Sequence, residues 1–131
     1  ESCGGQQAGL ALHVVAREPA AFEAGLATQA RPAAAAQTPL QQAGRDAFLA
    51  NRCDACHAVR GVGGDSRLGP DLTHLGGRLY LAAGTLPNTP QARQEWIAHV
   101  QQVKEGARMP SYERLQEEQL AAIADWLGAL K

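Results

Sequence analysis

The sequence predicts an all-α domain over residues 40–131, and three observations favour this class. The stretch from about 116 to 130 places its apolar residues on one helical face, namely Leu120, Ile123, Ala124, Leu127 and Leu130. No alternation of polar and apolar residues, which would indicate strands, competes with this periodicity. Segments rich in glycine and proline divide the rest of the region into helical stretches and loops.

Residues 1–39, which precede this domain, predict a strand, a helix and a linker instead of a helical bundle. Residues 10–16 are apolar and partly β-branched, which predicts a strand. Pro19 stands where a helix could begin, and this predicts a helix over residues 20–29. Residues 31–39 are mostly alanine and proline without hydrophobic periodicity, so we expect a linker between residues 1–30 and the domain.

The remaining elements of the domain follow from helix starts and breakers. A helix over residues 41–52 is predicted to present three apolar residues to the core: Ala43, Ala47 and Phe48. Residues 61–77 are rich in glycine and predict a loop, and residues 78–83 predict a short helical turn. Thr89 as an N-cap before a proline predicts a helix that continues to about residue 102.

Composition and charge exclude several classes of function. The formal net charge is -1, and residues 40–131 carry ten Lys or Arg against ten Asp or Glu, interspersed along the chain. Without a basic stripe we expect no nucleic-acid partner. No run of about eighteen apolar residues occurs, so we expect no membrane-spanning segment in this sequence. The chain has neither an initiator methionine nor a signal peptide, and we expect a mature product or an excised piece.

Cys53-Asp-Ala-Cys56-His57 forms a C-x-x-C-H motif, which is the attachment signature of a c-type heme. Two thiols one helical turn apart can each add to one vinyl group of a porphyrin, and the adjacent His57 is then delivered to the iron. A redox-active cysteine pair and half of a zinc site are the alternatives. A redox pair does not need the histidine, and a zinc site needs a second ligand pair. We therefore predict one covalent heme c, which also supplies apolar surface to a chain with only six aromatic residues.

Met109 is the predicted second axial ligand of the iron. It is the single methionine of the chain, and it lies in a Gly/Pro loop between two predicted helices instead of among apolar helix neighbours. A Met/His ligand pair raises the reduction potential of a heme. His74, in a glycine-rich loop, and His99, on a helix, are the rival ligands.

Residues 44–128 resemble class I cytochromes c. Gly44 and Phe48 on the first helix and Trp126 on the last match positions that meet at a helix crossing in that family, where the glycine permits close approach. The resemblance implies an all-α class I cytochrome c fold around one covalent heme c, preceded here by the short strand and helix.

The same resemblance implies roles for three residues in the heme pocket. Gly69-Pro70-Asp71-Leu72 resembles the family loop in which the proline carbonyl accepts the imidazole N–H, so that Pro70 would fix the tautomer of His57. Arg78 matches the arginine that the family directs at a heme propionate. Trp96 is expected to line the pocket, with ordinary core packing as the alternative.

Among class I cytochromes c, the chain specifically resembles one subgroup, the cytochrome c domains appended to subunit II of heme–copper (cytochrome c) oxidases. Residues 69–78, residues 81–90, Trp96-Ile97 and Met109-Pro110 carry this likeness. Residues 1–30 resemble the end of the cupredoxin domain of that subunit, which normally holds a dinuclear copper (CuA) centre.

The copper motif is incomplete in this chain. Cys3 matches its second cysteine and Glu1 its glutamate, but Gln7 and Leu10 stand at the histidine and methionine positions. An amide is a poor ligand for copper and leucine offers none, so we expect no copper. Natural decay of the site and altered ligands are both open as explanations.

The implied function is single-electron transfer without substrate turnover by this chain alone. The electron donor would be another cytochrome or a small copper protein, and the acceptor a terminal oxidase that includes subunit I. A free-standing electron carrier and a heme-based gas sensor or catalytic c-heme are the alternatives. The resemblance implies a location in the periplasm or on the outer face of the bacterial cytoplasmic membrane.

Overall fold

The structure is a computed structural model that describes residues 14–131. Most of the strand predicted for residues 10–16, and the four positions compared with copper ligands, lie outside the described residues. Residues 14–16 have no regular structure. The described helices are α1 (Pro19–Gln29), α2 (Pro39–Ala50), α3 (Pro90–Ala98), α4 (Val100–Val103) and α5 (Glu117–Ala129). None of them is long and apolar enough to cross a membrane.

Helix α1 begins at a proline, as predicted, and it buries none of its side chains. Phe22 and Leu26 are both about half exposed. The residues that follow α1 run over the surface of the domain without regular structure up to Thr38. Ala33 and Ala36 in this stretch pack against the core of the domain.

Helix α2 begins with Thr38 as N-cap, whose hydroxyl accepts a hydrogen bond from the backbone N–H of Gln41 at 3.1 Å. The prediction that Ala43 faces the core is wrong, because Ala43 is exposed. Gly44 and Phe48 are the buried positions of α2. They lie four residues apart on the face that meets α5, and Ala43 is rotated out of that face by one residue.

The crossing of α2 and α5 is the centre of the core. A Cβ atom on Gly44 would lie 2.1 Å from the carbonyl oxygen of Ala122, so only glycine permits this approach. Phe48 and Trp126 pack edge to face, with ring centroids 5.2 Å apart. Such an aromatic pair contributes about 0.5–1.5 kcal/mol beyond the area that it buries. The helix crossing that the resemblance implied is present.

The segment between Arg78 and Thr89 differs from its prediction. Instead of one helical turn over residues 78–83, it forms a short antiparallel ladder of β1 (Tyr80–Leu81) and β2 (Leu86–Pro87), with a 3₁₀ turn (Ala82–Gly84) between the strands. Ala82 and Ala83, between the strands, have φ angles of 51° and 57°. Two consecutive left-handed residues reverse the chain and stop a helix from propagating.

The helix predicted to continue to about residue 102 breaks at His99, and the hydrogen bonds show why. In an unbroken helix the carbonyl of Ile97 would accept from the N–H of Gln101. It accepts instead from the N–H of Tyr112 at 3.0 Å, and the N–H of Gln101 donates to the Ser111 hydroxyl at 3.3 Å. The loop that follows Met109 therefore takes over hydrogen bonds of the helix, and α4 begins only after His99, whose φ of -128° and ψ of 38° are not helical.

A buried arginine ties the loop at 75–88 to α5. Arg93 donates from Nε to the carbonyl of Ala124 at 2.7 Å and from Nη1 to the side-chain oxygen of Asn88 at 2.7 Å. The amide of Asn88 donates in turn to the carbonyls of Leu75 and Arg78, each at 2.8 Å. Burial lowers the pKa of Arg93, although the nearby Asp125 carboxylate opposes that shift.

Candidate heme site

The C-x-x-C-H motif lies directly after α2, and a sharp reversal of the backbone presents it. Arg52 has φ 56° and ψ 31°, a left-handed conformation that ends the helix. Residues Cys53–Ala55 then form a single 3₁₀ turn, and the N–H of His57 donates to the carbonyl of Cys53 at 3.0 Å. The turn brings the two cysteines and His57 within one short loop.

The two cysteines are free thiols in different surroundings. Cys53 is half buried and packs against the core, whereas Cys56 is exposed. Burial raises the pKa of Cys53 to about 11. Redox-active and metal-binding cysteines have lowered pKa values, because the thiolate is the reactive form. The surroundings of Cys53 therefore favour a neutral thiol over a redox pair.

A hydrogen bond and a close glycine fix the ring of His57. Its Nδ1 lies 2.8 Å from the carbonyl oxygen of Pro70, the contact that the resemblance implied. A carbonyl only accepts, so Nδ1 carries a proton, and in this tautomer of the neutral imidazole the lone pair lies on Nε2. A Cβ on Gly69 would lie 2.6 Å from Cε1 of the ring. Sequence reasoning noted the Gly-Pro motif but missed that its glycine is the surface on which the imidazole rests.

Backbone hydrogen bonds join the Pro70 loop to the histidine segment on both sides of this contact. The N–H of Gly69 donates to the carbonyl of Cys56 at 2.8 Å, and the N–H of Leu72 donates to the carbonyl of Ala58 at 2.9 Å. Together with the His57–Pro70 bond they hold the two segments side by side. The orientation of the imidazole is therefore built into the fold of residues 56–72.

Met109 is half buried and packs against the core in the loop between α4 and α5. The side-chain amide of Gln101 donates to the carbonyls of Ala107 and Met109, each at 2.8 Å, and so braces this loop. Gly106 has φ 79°, a conformation that favours glycine. The thioether thus lies in an ordered loop and not in the middle of a helix.

Tyr112, which sequence reasoning missed, connects the methionine loop to the cysteine motif. Burial raises its pKa, and the neighbouring thiol groups of Cys53 and Cys56 add to the shift. Tyr112 also lines one cavity together with Asn51, which lies two residues before Cys53, so the loop that carries Met109 and the turn that carries the cysteines face the same region. No sequence signal pointed to Tyr112, because nothing in its spacing marks it as a neighbour of the motif.

The rival histidines have other partners. His74 is buried, and its Nε2 lies 3.2 Å from the carbonyl oxygen of Arg31. His99 lies at the end of α3, with its Nδ1 3.1 Å from a carboxylate oxygen of Glu95.

Arg78 and Trp96 are the two remaining residues expected in the heme pocket. Arg78 is exposed and donates to the carbonyl oxygen of Asp71 at 2.6 Å, beside the loop that holds His57. Trp96 is half buried on α3, and it is not among the side chains that pack against the described core.

The donor set fits a covalent heme c. It combines two unpaired thiols and a tautomer-fixed imidazole whose Nε2 has no hydrogen-bond partner within residues 14–131. A thioether follows in an ordered loop. Three or more His, Cys, Asp or Glu side chains do not cluster anywhere in this described part of the chain, as a protein-only metal site would need.

The fold and this donor set match a known family. The family model described as "Cytochrome c" matches residues 41–131, and the chain belongs to the cytochrome c family. Membership implies heme c and supports heme-based electron transfer.

The whole of this chain is similar to part of "Cytochrome c oxidase subunit 2" of Alkalihalophilus pseudofirmus (strain ATCC BAA-2126 / JCM 17055 / OF4). The two sequences are 32% identical over 131 residues, which cover 100% of this chain and 37% of that protein. The chain therefore spans little more than a third of the length of this relative.

Proposed function

We propose that this chain transfers single electrons through one heme c, bound by Cys53 and Cys56 and ligated by His57 and Met109. The bound group supplies a reversible one-electron couple of its iron. The observation that supports the proposal most is the loop of residues 53–70, where two free thiols and a tautomer-fixed imidazole lie together.

The protein residues orient the ligands and set their basicity. The Pro70 carbonyl accepts a hydrogen bond from Nδ1–H of His57. This bond would leave Nε2 as the nitrogen that binds the iron, and it increases the basicity of the imidazole. The brace from Gln101 to Met109 restricts the thioether loop. A Met/His pair favours the reduced state relative to a bis-histidine pair and so raises the potential. Arg78 would neutralise a propionate, and Trp96 would line the pocket.

We further propose that the domain relays electrons toward a terminal heme–copper oxidase, on the outer face of the bacterial cytoplasmic membrane or in the periplasm. The support is the relative named as an oxidase subunit, whose likeness covers the whole chain and not only residues 41–131. The donor would be a cytochrome or a small copper protein, and subunit I would belong to the same complex. Contact with the membrane would come only through the parent subunit.

Residues 1–30 are proposed to be a remnant of a cupredoxin domain that holds no copper, followed by a linker at 31–39. Gln7 and Leu10 are the reason, because neither replaces a copper ligand. Metal analysis of the purified chain should find iron near one equivalent and copper near zero. Stoichiometric copper with the paramagnetic signature of a dinuclear pair would contradict this part of the proposal.

Covalent attachment is tested by denaturing gel electrophoresis with heme staining. The wild-type polypeptide should retain the stain, and the double variant Cys53→Ala/Cys56→Ala should lose it. Extraction of the heme from wild type by acidified organic solvent would refute the attachment. The single variants should each keep one thioether and hence part of the stain.

A further inference from the structure

Arg60 connects two distant segments of the chain through one guanidinium group. Its Nη2 donates to the carbonyl oxygens of Gln29 and Arg31, at the end of α1 and just beyond it. Its Nη1 donates to Oδ2 of Asp71 at 2.9 Å. The backbone of Arg60 also takes part, since its carbonyl accepts from the N–H of Ala33 at 2.8 Å.

The first of these connections holds the end of α1. The last carbonyls of a helix have no partner within the helix, and a cation near them is favourable. Arg60 supplies the cation, and His74 contacts the same carbonyl of Arg31 at 3.2 Å. Because α1 buries no side chain, its position on the domain depends on these contacts at its end.

The second connection reaches the axial histidine. Asp71 is held at three points, by Nη1 of Arg60, by the N–H of Thr73 at 2.7 Å and by Arg78 on its carbonyl at 2.6 Å. The peptide group between Pro70 and Asp71 carries the carbonyl that accepts from His57 at 2.8 Å. Fixing Asp71 therefore fixes the plane of that peptide group and the direction of its carbonyl oxygen.

We propose that Arg60 is a positioning residue that couples the position of α1 on the domain to the hydrogen bond between the axial His57 and the Pro70 carbonyl. The inference rests on the proposed function, because it concerns the potential of a heme ligated by His57. When the end of α1 is bonded to Arg60, the same guanidinium group holds Asp71, and the Pro70 carbonyl stays aligned with Nδ1 of His57. When that link is lost, Asp71 keeps only its contacts with Thr73 and Arg78, so the Pro70 carbonyl is held less firmly and the hydrogen bond weakens.

The two effects of removing Arg60 on the reduction potential have opposite signs. A weaker hydrogen bond makes the imidazole less basic, which destabilises the oxidised iron and raises the potential. Loss of a positive charge near the iron alone would stabilise the oxidised state and lower the potential. A rise in potential therefore cannot come from the lost charge.

The first experiment measures the reduction potential of the full heme-loaded chain and the hyperfine-shifted proton resonances of its axial histidine. We expect Arg60→Gln to shift the redox equilibrium constant about threefold toward the reduced state. For a one-electron couple this shift raises the reduction potential by about 28 mV. The ring resonances of His57 should shift with it. Arg60→Lys keeps one donor toward Asp71 and should return both readouts most of the way to wild type.

Arg52→Gln is the matched control, because Arg52 also lies beside the heme motif and only approaches a carboxylate, Asp54, at 3.7 Å. Its potential should stay unchanged or fall. An unchanged or lowered potential in Arg60→Gln, or an equal rise in the Arg52 control, would overturn the proposal.

The second experiment tests the part played by α1. Leu26→Pro breaks the helix at an exposed position, and Leu26→Ala removes the same side chain without breaking it. The proline variant should raise the potential in the direction of Arg60→Gln, and the alanine variant should not. No rise in the proline variant would refute the coupling to α1. A wild-type spectrum without a c-type heme would instead refute the proposed function itself.

Discussion

Replacing Gly69 with alanine should disturb the axial histidine without affecting the backbone. The φ angle of Gly69 is not in the left-handed region, so alanine is allowed there and the effect is steric. The new Cβ would lie 2.6 Å from Cε1 and 2.8 Å from Nδ1 of His57. To reach an ordinary contact distance of 3.4 Å, the ring must move by about 0.8 Å.

This displacement determines the expected magnitude. Overpacking of a tight contact costs about 1–3 kcal/mol. The moved ring also loses good geometry in its hydrogen bond to Pro70, which contributes about 0.5–1.5 kcal/mol. We therefore expect Gly69→Ala to lower the free energy of unfolding by about 1.5–4.5 kcal/mol, together with a change in the visible spectrum of the bound heme.

The assay is guanidinium unfolding of the heme-loaded protein, followed by the heme absorption and by far-ultraviolet circular dichroism. Gly77→Ala is the matched control. Gly77 lies eight residues further along the chain, and a Cβ there would have no atom within 4 Å. The control should unfold like wild type. If Gly69→Ala also unfolds like wild type with an unchanged spectrum, the tight contact between this loop and the imidazole is wrong.

Two further predictions concern the helix crossing and the acid stability. Gly44→Ala should destabilise the protein by about 1–3 kcal/mol, because its Cβ would lie 2.1 Å from the Ala122 carbonyl oxygen, whereas Gly25→Ala, with open space around it, should cost nothing in the same unfolding assay. For Asp71, burial opposes ionisation, but the hydrogen bonds from Thr73 and two arginine charges lower its pKa below the ordinary value. The lowered pKa means that its contribution to stability is present above the unfolded-state pKa near 4 and is lost as the pH falls through the folded value. Asp71→Asn should flatten the pH dependence of the unfolding midpoint below about pH 4, and an unchanged slope would contradict the assignment.

Local signals in the sequence predicted most of the helical fold. The prolines at the starts of α1 and α3 mark where these helices begin, and the apolar face of α5 predicted its burial. Helix α2 begins at Pro39, inside the predicted linker and two residues before the predicted start. Caps and periodicity act within a few residues, so the sequence carries them directly. The C-x-x-C-H motif is local in the same sense.

The features that sequence reasoning missed all depend on distant contacts. The break at His99 arises because Tyr112 takes the carbonyl of Ile97, an interaction across fifteen positions of the chain. The ladder at 80–87 forms around two left-handed alanines, which have no distinctive sequence preference for that conformation. The contacts of Arg60 with residues 29 and 31 likewise cannot be read from spacing.

The near-infrared spectrum of the oxidised protein tests the central claim most directly, because it reports the bond between a methionine sulfur and the heme iron. We predict the weak sulfur-to-iron charge-transfer band in wild type and its loss in Met109→Ala, with the heme still attached through Cys53 and Cys56. Persistence of the band in Met109→Ala, or a bis-histidine spectrum in wild type that implicates His74 or His99, would contradict the account.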